Sequence, residues 1–152
     1  MSSVQQLAPA LSESVGTALT EGAFLVTFPL DDAGPLPGPT VDVEVTMTAE
    51  GHTPLRLEIS LPVALAREIA ANVLGEFDPS SVSEEDVVNS TLELANVVAG
   101  GFARHAFTGL CSIGSPRQFE RPGTAEACLT LGTDSGASLR VGLGVSPEVA
   151  HA

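Results

Sequence analysis

A carboxylate and a carboxamide one helical turn apart, Glu93 and Asn96, form the pair in this sequence best placed to do chemistry together. They sit in the run Ser90-Thr-Leu-Glu-Leu-Ala-Asn-Val-Val-Ala-Gly-Gly101. On a helix advancing about 100° per residue, Asp86, Asn89, Glu93, Asn96, Gly100 and Arg104 fall within about 60° of the direction of Glu93. Val88, Leu92, Ala95, Ala99 and Phe102 fall on another side and are expected to face the core. A lone Glu is a weak acid or base at neutral pH, and Asn is neither. An Asn amide can, however, hold and orient a water. The pair therefore suits a hydrolysis in which a partner brings the electrophile and the metal. Each of the two glycines costs about 1 kcal/mol relative to Ala in a helix, which a sequence tolerates where something must approach the backbone closely. That something is either a docked partner or a neighbouring element of the same protein, and spacing alone leaves both open.

Other catalytic signatures are missing. Gly132-Thr-Asp-Ser-Gly136 lacks the spacing of a nucleophile elbow, and no strand leads into G-x-G-x-x-G. His52 falls in an expected turn, His105 late in the long helix and His151 in the tail, none with a partner at ligand spacing. No metal site is read. Cys111 and Cys128 fit no motif and are expected to be reduced thiols.

The elements that must position the pair follow from periodicity. Residues 4–20 carry Val4, Leu7, Leu11, Val15 and Leu19 at helical spacing, with Pro9 confined to the start. Phe24 to Leu30 alternates as a strand, and residues 31–39 are a loop rich in Pro and Gly. Two strict alternations follow, Val41/Val43/Val45/Met47 and Leu55/Leu57/Ile59/Leu61, each with one apolar and one charged or polar face. That is the pattern of an antiparallel sheet open to solvent on one side, with a hairpin through Gly51. Pro62 to Leu74 reads as a helix closed by Gly75. Ser83 caps a second helix, with Glu84, Glu85 and Asp86 in its first turn, running to about Phe107. Ala127/Leu129/Leu131 and Leu139/Val141/Leu143/Val145 form two last strands about the turn 133–136. Residues 146–152 are expected to fray. Strands and helices clustered in this order predict an α+β single domain, residues 1–152 with a core of about 4–145. Its largely antiparallel sheet packs against two long helices. Ala71-Asn72-Val73 and Ala95-Asn96-Val97 echo each other 24 residues apart.

Composition narrows the function. The 152 residues hold 19 acidic side chains, six Arg and no Lys, a net charge of −13. Such a surface repels phosphate backbones, which argues against nucleic-acid binding and favours a basic protein partner. Without Lys there is no Schiff base and no Walker-type phosphate loop. A hydrophobic fraction of 43% suffices for a core and is incompatible with a disordered acidic tail. Neither a signal peptide nor a membrane span is read, so a cytoplasmic protein is expected.

The helix around Glu93 resembles the signature helix of the CheC/CheX/FliY phosphatases of bacterial chemotaxis. That signature is an Asp or Ser, three residues, Glu, two residues, Asn, and a Pro some twenty-odd residues on. Glu93 and Asn96 match, and Pro116 lies twenty residues past Asn96, a little short of the family spacing. Asn89 stands where the family has Asp or Ser. One motif copy in 152 residues is closer to CheX than to the two-copy CheC.

The resemblance implies a CheX-like fold and hydrolysis of phospho-aspartate on a CheY-like response-regulator receiver. It assigns Asn96 to orienting the attacking water and Glu93 to pairing with the receiver's lysine. Asn89, Gly100, Gly101 and Pro116 would contribute to docking. Mg²⁺ belongs to the receiver, so no cofactor of the chain's own is expected, and a homodimer paired through strands is implied. The alternative is a non-catalytic module that binds a receiver or adaptor through the same helix.

Overall fold

The computed structural model describes residues 4–31, 34–120, 123 and 125–146. A short 3-10 turn, Gln5–Leu7, leads into helix α1 (Ala8–Ala23), with Pro9 in its first turn where no amide hydrogen is needed. Strand β1 is only Thr27–Pro29. The long hairpin of β2 (Thr40–Ala49) and β3 (Leu55–Pro62) turns through Gly51 at φ 79. Helix α2 (Val63–Leu74) ends on Gly75 in the left-handed conformation at φ 74, and α3 (Glu84–Ala106) is the longest element. Strands β4 (Cys111–Ile113), β5 (Arg117–Gln118), β6 (Ala127–Thr133) and β7 (Ser138–Val145) complete the chain.

Every pairing in the sheet is antiparallel, in the order β1-β6-β7-β3-β2-β4, with β5 sharing the outer edge of β2 beside β4. The alternation seen in the sequence sorts the faces. Val43, Val45, Met47, Leu57, Ile59, Val141 and Leu143 are almost wholly buried in one core with the helices. Against the expectation of two long helices, three pack on this face: α3 lies on β2 and is flanked by both α1 and α2. All three belong because each carries an apolar stripe that the single core covers.

Three further expectations change. The first strand shrinks because α1 runs on to Ala23, closing on Phe24 at φ 58, the only non-glycine with positive φ among the described residues. Ser146, placed in a frayed tail, is buried and donates its amide to the Pro54 carbonyl at 2.9 Å, extending the β3–β7 edge by one bond. The rest of that tail, residues 147–152 with His151, lies outside the described residues.

The third change concerns the charged face of the sheet, which is covered at its centre. Glu44 and Glu58 face each other across β2 and β3, and both are buried. Phe119, Gly123 and Ala125, which follow β5, pack on the same face. The Phe119 ring lies 5.1 Å from the Arg56 guanidinium, and the Gly123 amide donates to Glu58 Oε1 at 2.6 Å. Ala125 packs where a Cβ on Gly142 would be, 3.1 Å away, so a bare strand lets Ala125 approach. Arg56 bridges Glu44 and Glu58, the latter at 3.0 Å, and Arg117 Nε bonds Glu44 at 2.6 Å.

Candidate functional site

Helix α3 is stabilised at both ends. Ser83 Oγ accepts from the Asp86 amide at 3.1 Å, Glu84, Glu85 and Asp86 sit at the positive end of the macrodipole, and Arg104 and His105 at the negative end. Its buried side is Val87, Thr91, Leu94, Ala95, Val98, Ala99, Phe102 and Ala103, an arc of about 180°. The expected core face included Val88 and Leu92, which are only half-buried. The helix is rotated because it is wedged between the sheet and the α1/α2 pair, so neighbours cover it on two sides.

Opposite that arc, Asn89, Glu93 and Asn96 are exposed. None of the three side chains hydrogen-bonds another described residue, so the carboxylate and the carboxamide stand free, one turn apart, on a backbone that packing makes rigid. The echo at Asn72 has a different meaning. Asn72 Nδ2 donates to the Ala23 carbonyl at 2.8 Å, satisfying the end of α1. Asn72 is structural, and the surface Asn is Asn96.

The two glycines separate. A Cβ on Gly101 would lie 3.8 Å from the Ser14 side chain, so that glycine faces α1. A Cβ on Gly100 would meet only the end of Arg104 at 3.6 Å, and Gly100 continues the Asn89–Glu93–Asn96 stripe. Only Gly100 offers bare helix beside the pair. Because both 3.8 Å and 3.6 Å are ordinary contacts, neither glycine is enforced by clash within the chain. Gly101→Ala is therefore expected to raise stability by up to about 1 kcal/mol through helix propensity. That corresponds to a Tm gain of roughly 2–4 °C by calorimetry. A fall in Tm would mean that α1 and α3 sit closer than this geometry allows.

Pro116 lies in the β4–β5 connection at the edge of β2, on a different element from Glu93 and Asn96. Among the described residues no group of three or more His, Cys, Asp or Glu could hold a metal ion. Cys111 and Cys128 are both free thiols, and partial burial pushes that of Cys111 up. His105 Nε2 lies 4.0 Å from Glu13, and the His52 ring packs 4.8 Å from that of Phe107, so each has a local structural contact. Among the described residues no helix is long and apolar enough to cross a membrane.

One feature of the site gave no signal in the periodicity. A groove of about 370 Å³ opens beside the pair, bounded by α1, α2 and α3, and Asn89 and Glu93 line it. A larger opening of about 400 Å³ between α1 and β1 contains none of the residues singled out by sequence. The exposed Val97 was the available clue to the groove, an apolar side chain beside a polar stripe.

By sequence the chain matches no family model and none of the curated proteins compared with it. Solved structures do match. CheX from Vibrio vulnificus superposes with a TM-score of 0.72 at 19% identity, over 95% of this chain and 100% of that one. A chemotaxis protein CheX from Desulfovibrio desulfuricans gives 0.70 at 13% identity, over 93% and 99%. The CheX chain of a CheX–CheY–BeF3–Mg²⁺ complex from Borrelia burgdorferi gives 0.65 at 16%, over 91% and 96%. The chain thus has the CheX-like α+β fold over nearly its whole length.

Proposed function

We propose that this chain is a CheX-like phosphatase that hydrolyses phospho-aspartate on a CheY-like receiver domain. The observation that carries the reading is the free, exposed Glu93–Asn96 pair one turn apart on a rigid helix. The CheX–CheY complex among the similar structures supports a CheY-like receiver as the partner.

In this reading α3 enters the receiver's phosphorylation cleft. Asn96 holds a water through its amide, in line with the aspartyl-phosphate bond. Attack on phosphorus breaks the P–O bond to the aspartyl carboxyl, releasing inorganic phosphate and restoring the carboxylate. Glu93 pairs with the receiver's lysine and fixes the orientation. Mg²⁺, held by the receiver, neutralises charge on the phosphoryl oxygens. The net charge of −13 favours approach to a lysine-bearing cleft. The same reading carries a homodimer paired through an edge strand and a cytoplasmic location.

The test is the decay of a phosphorylated CheY-like receiver from the same organism, alone, with this protein, and with Asn96→Ala. Acceleration that the variant loses supports the phosphatase. No acceleration by the unaltered protein sinks it.

A second reading, a module that binds without hydrolysis, is favoured by Asn89 at the position where the family signature has Asp or Ser. It too docks through Gly100. Gly100→Leu, which puts a bulky side chain on the bare stripe, is expected to weaken receiver binding at least about tenfold in a titration. Undiminished binding would remove Gly100 from the interface under both readings.

A further inference from the structure

The groove beside Glu93 has three properties of an anchor pocket. Its floor is made of small residues from α1, Ala18, Gly22 and Ala23. Most of its lining is apolar, and Val73, Leu74 and Val97 stay 48–53% exposed, so among the described residues no element fully covers them. Its rim carries Asp86 and Glu93, both exposed and acidic. Monomeric proteins seldom leave a concave apolar surface open without a use for it.

We infer that this groove receives one large apolar side chain of the receiver, presented next to the basic residue that Glu93 engages. The inference rests on the phosphatase reading for its partner and adds what that reading lacks, a source of affinity and selectivity. Charge complementarity fixes the occupant. An acidic rim on a chain of net charge −13 selects an apolar group flanked by Lys or Arg and rejects one flanked by carboxylates. Glu93 also ties the two functions together, because the same residue lines the groove and belongs to the reactive stripe. Seating the anchor therefore sets the register of α3 in the cleft, with Asn96 one turn further along.

Gly22 provides the test. Gly22 lines the groove and a Cβ there meets nothing within 4 Å, so a side chain can be added to the lining without a clash at its first atom. The probe is a CheY-like receiver of the same organism, with beryllofluoride and Mg²⁺ for binding and phosphorylated for turnover. Gly22→Trp is expected to weaken binding and raise KM about tenfold or more. Asn96→Ala, run beside it, is expected to lose kcat while binding normally. Circular dichroism confirms that each variant is folded. If Asn96→Ala loses kcat but Gly22→Trp binds within twofold of the unaltered protein, the groove inference is overturned and the phosphatase reading stands. If no variant or parent accelerates decay, yet Gly22→Trp alone loses binding, the groove stands and the phosphatase falls. If the unaltered protein binds no receiver, both fall.

Discussion

Asn96→Ala is expected to return a phosphorylated receiver to its own unassisted rate of decay, with the Tm of the variant almost unmoved. The two halves of that result have separate physical causes. Asn96 is exposed and makes no hydrogen bond within the described chain, so its removal deletes no internal contact. Exposed substitutions of this kind stay within about 0.5 kcal/mol, and Ala is the better helix former. The rate depends on Asn96 for a different reason. If its amide aligns the attacking water, truncation leaves the water to find its orientation unaided, and loss of one positioned polar group costs roughly 100- to 1,000-fold in kcat. Glu93→Ala is expected to split differently, weakening receiver binding as well as rate, since an ion pair contributes before the reaction and during it. A variant Asn96→Ala that retained full acceleration would remove the carboxamide from the mechanism. A variant that unfolded would contradict the exposure of the side chain.

The legible parts of the fold were those specified by neighbours in sequence. The start and end of α2 and the start of α3 could be placed because Pro62, Gly75 and Ser83 act within one helical turn of themselves. The Glu93–Asn96 pair was legible for the same reason, since one helix carries both residues and fixes their separation. Strands β4 and β5 were not, at three and two residues, because they have no period of their own. They exist because β2 offers an unpaired edge along Glu44 and along Met47–Ala49. The end of α1 was obscured by Gly22, where helix continues through a residue that usually weakens it, and closure falls two residues later on Phe24. The groove needs three helices from distant stretches of chain, and no local spacing encodes it. The cover over the charged sheet face is likewise a long-range event. Alternation in β2 and β3 correctly separated two faces but could not say that Phe119, Gly123 and Ala125 would pack on one of them.

That covered face carries a large expected stability effect. Cross-strand register sets Glu44 against Glu58, with only 7% and 8% of each residue exposed. Two carboxylates so placed repel each other and have lost most of their water. Arg56, on the same face two residues before Glu58, reaches both, and Phe119 lies over its guanidinium. Arg56→Met keeps much of the apolar stem but removes the charge. Glu44 then retains Arg117, bound at 2.6 Å but itself largely exposed, and Glu58 retains the Gly123 amide, also at 2.6 Å. Those residual partners soften the loss without replacing it. Breaking a buried ion pair from one side costs about 3–5 kcal/mol, and the lower half of that range is expected here. For a chain of this length it lowers Tm by roughly 6–16 °C. Adding Glu44→Gln and Glu58→Gln to Arg56→Met is expected to recover a large part of the loss, because neutral amides need no counter-charge. If the single variant lost less than about 1 kcal/mol, the cluster would be solvated and Phe119 and Gly123 would not seal it. The cluster lies across the sheet from α3, so the folded fraction of Arg56→Met is expected to keep the kcat of the parent. Under the proposed function, stability and turnover then separate by face, with the buried charges governing one and the exposed pair on α3 the other.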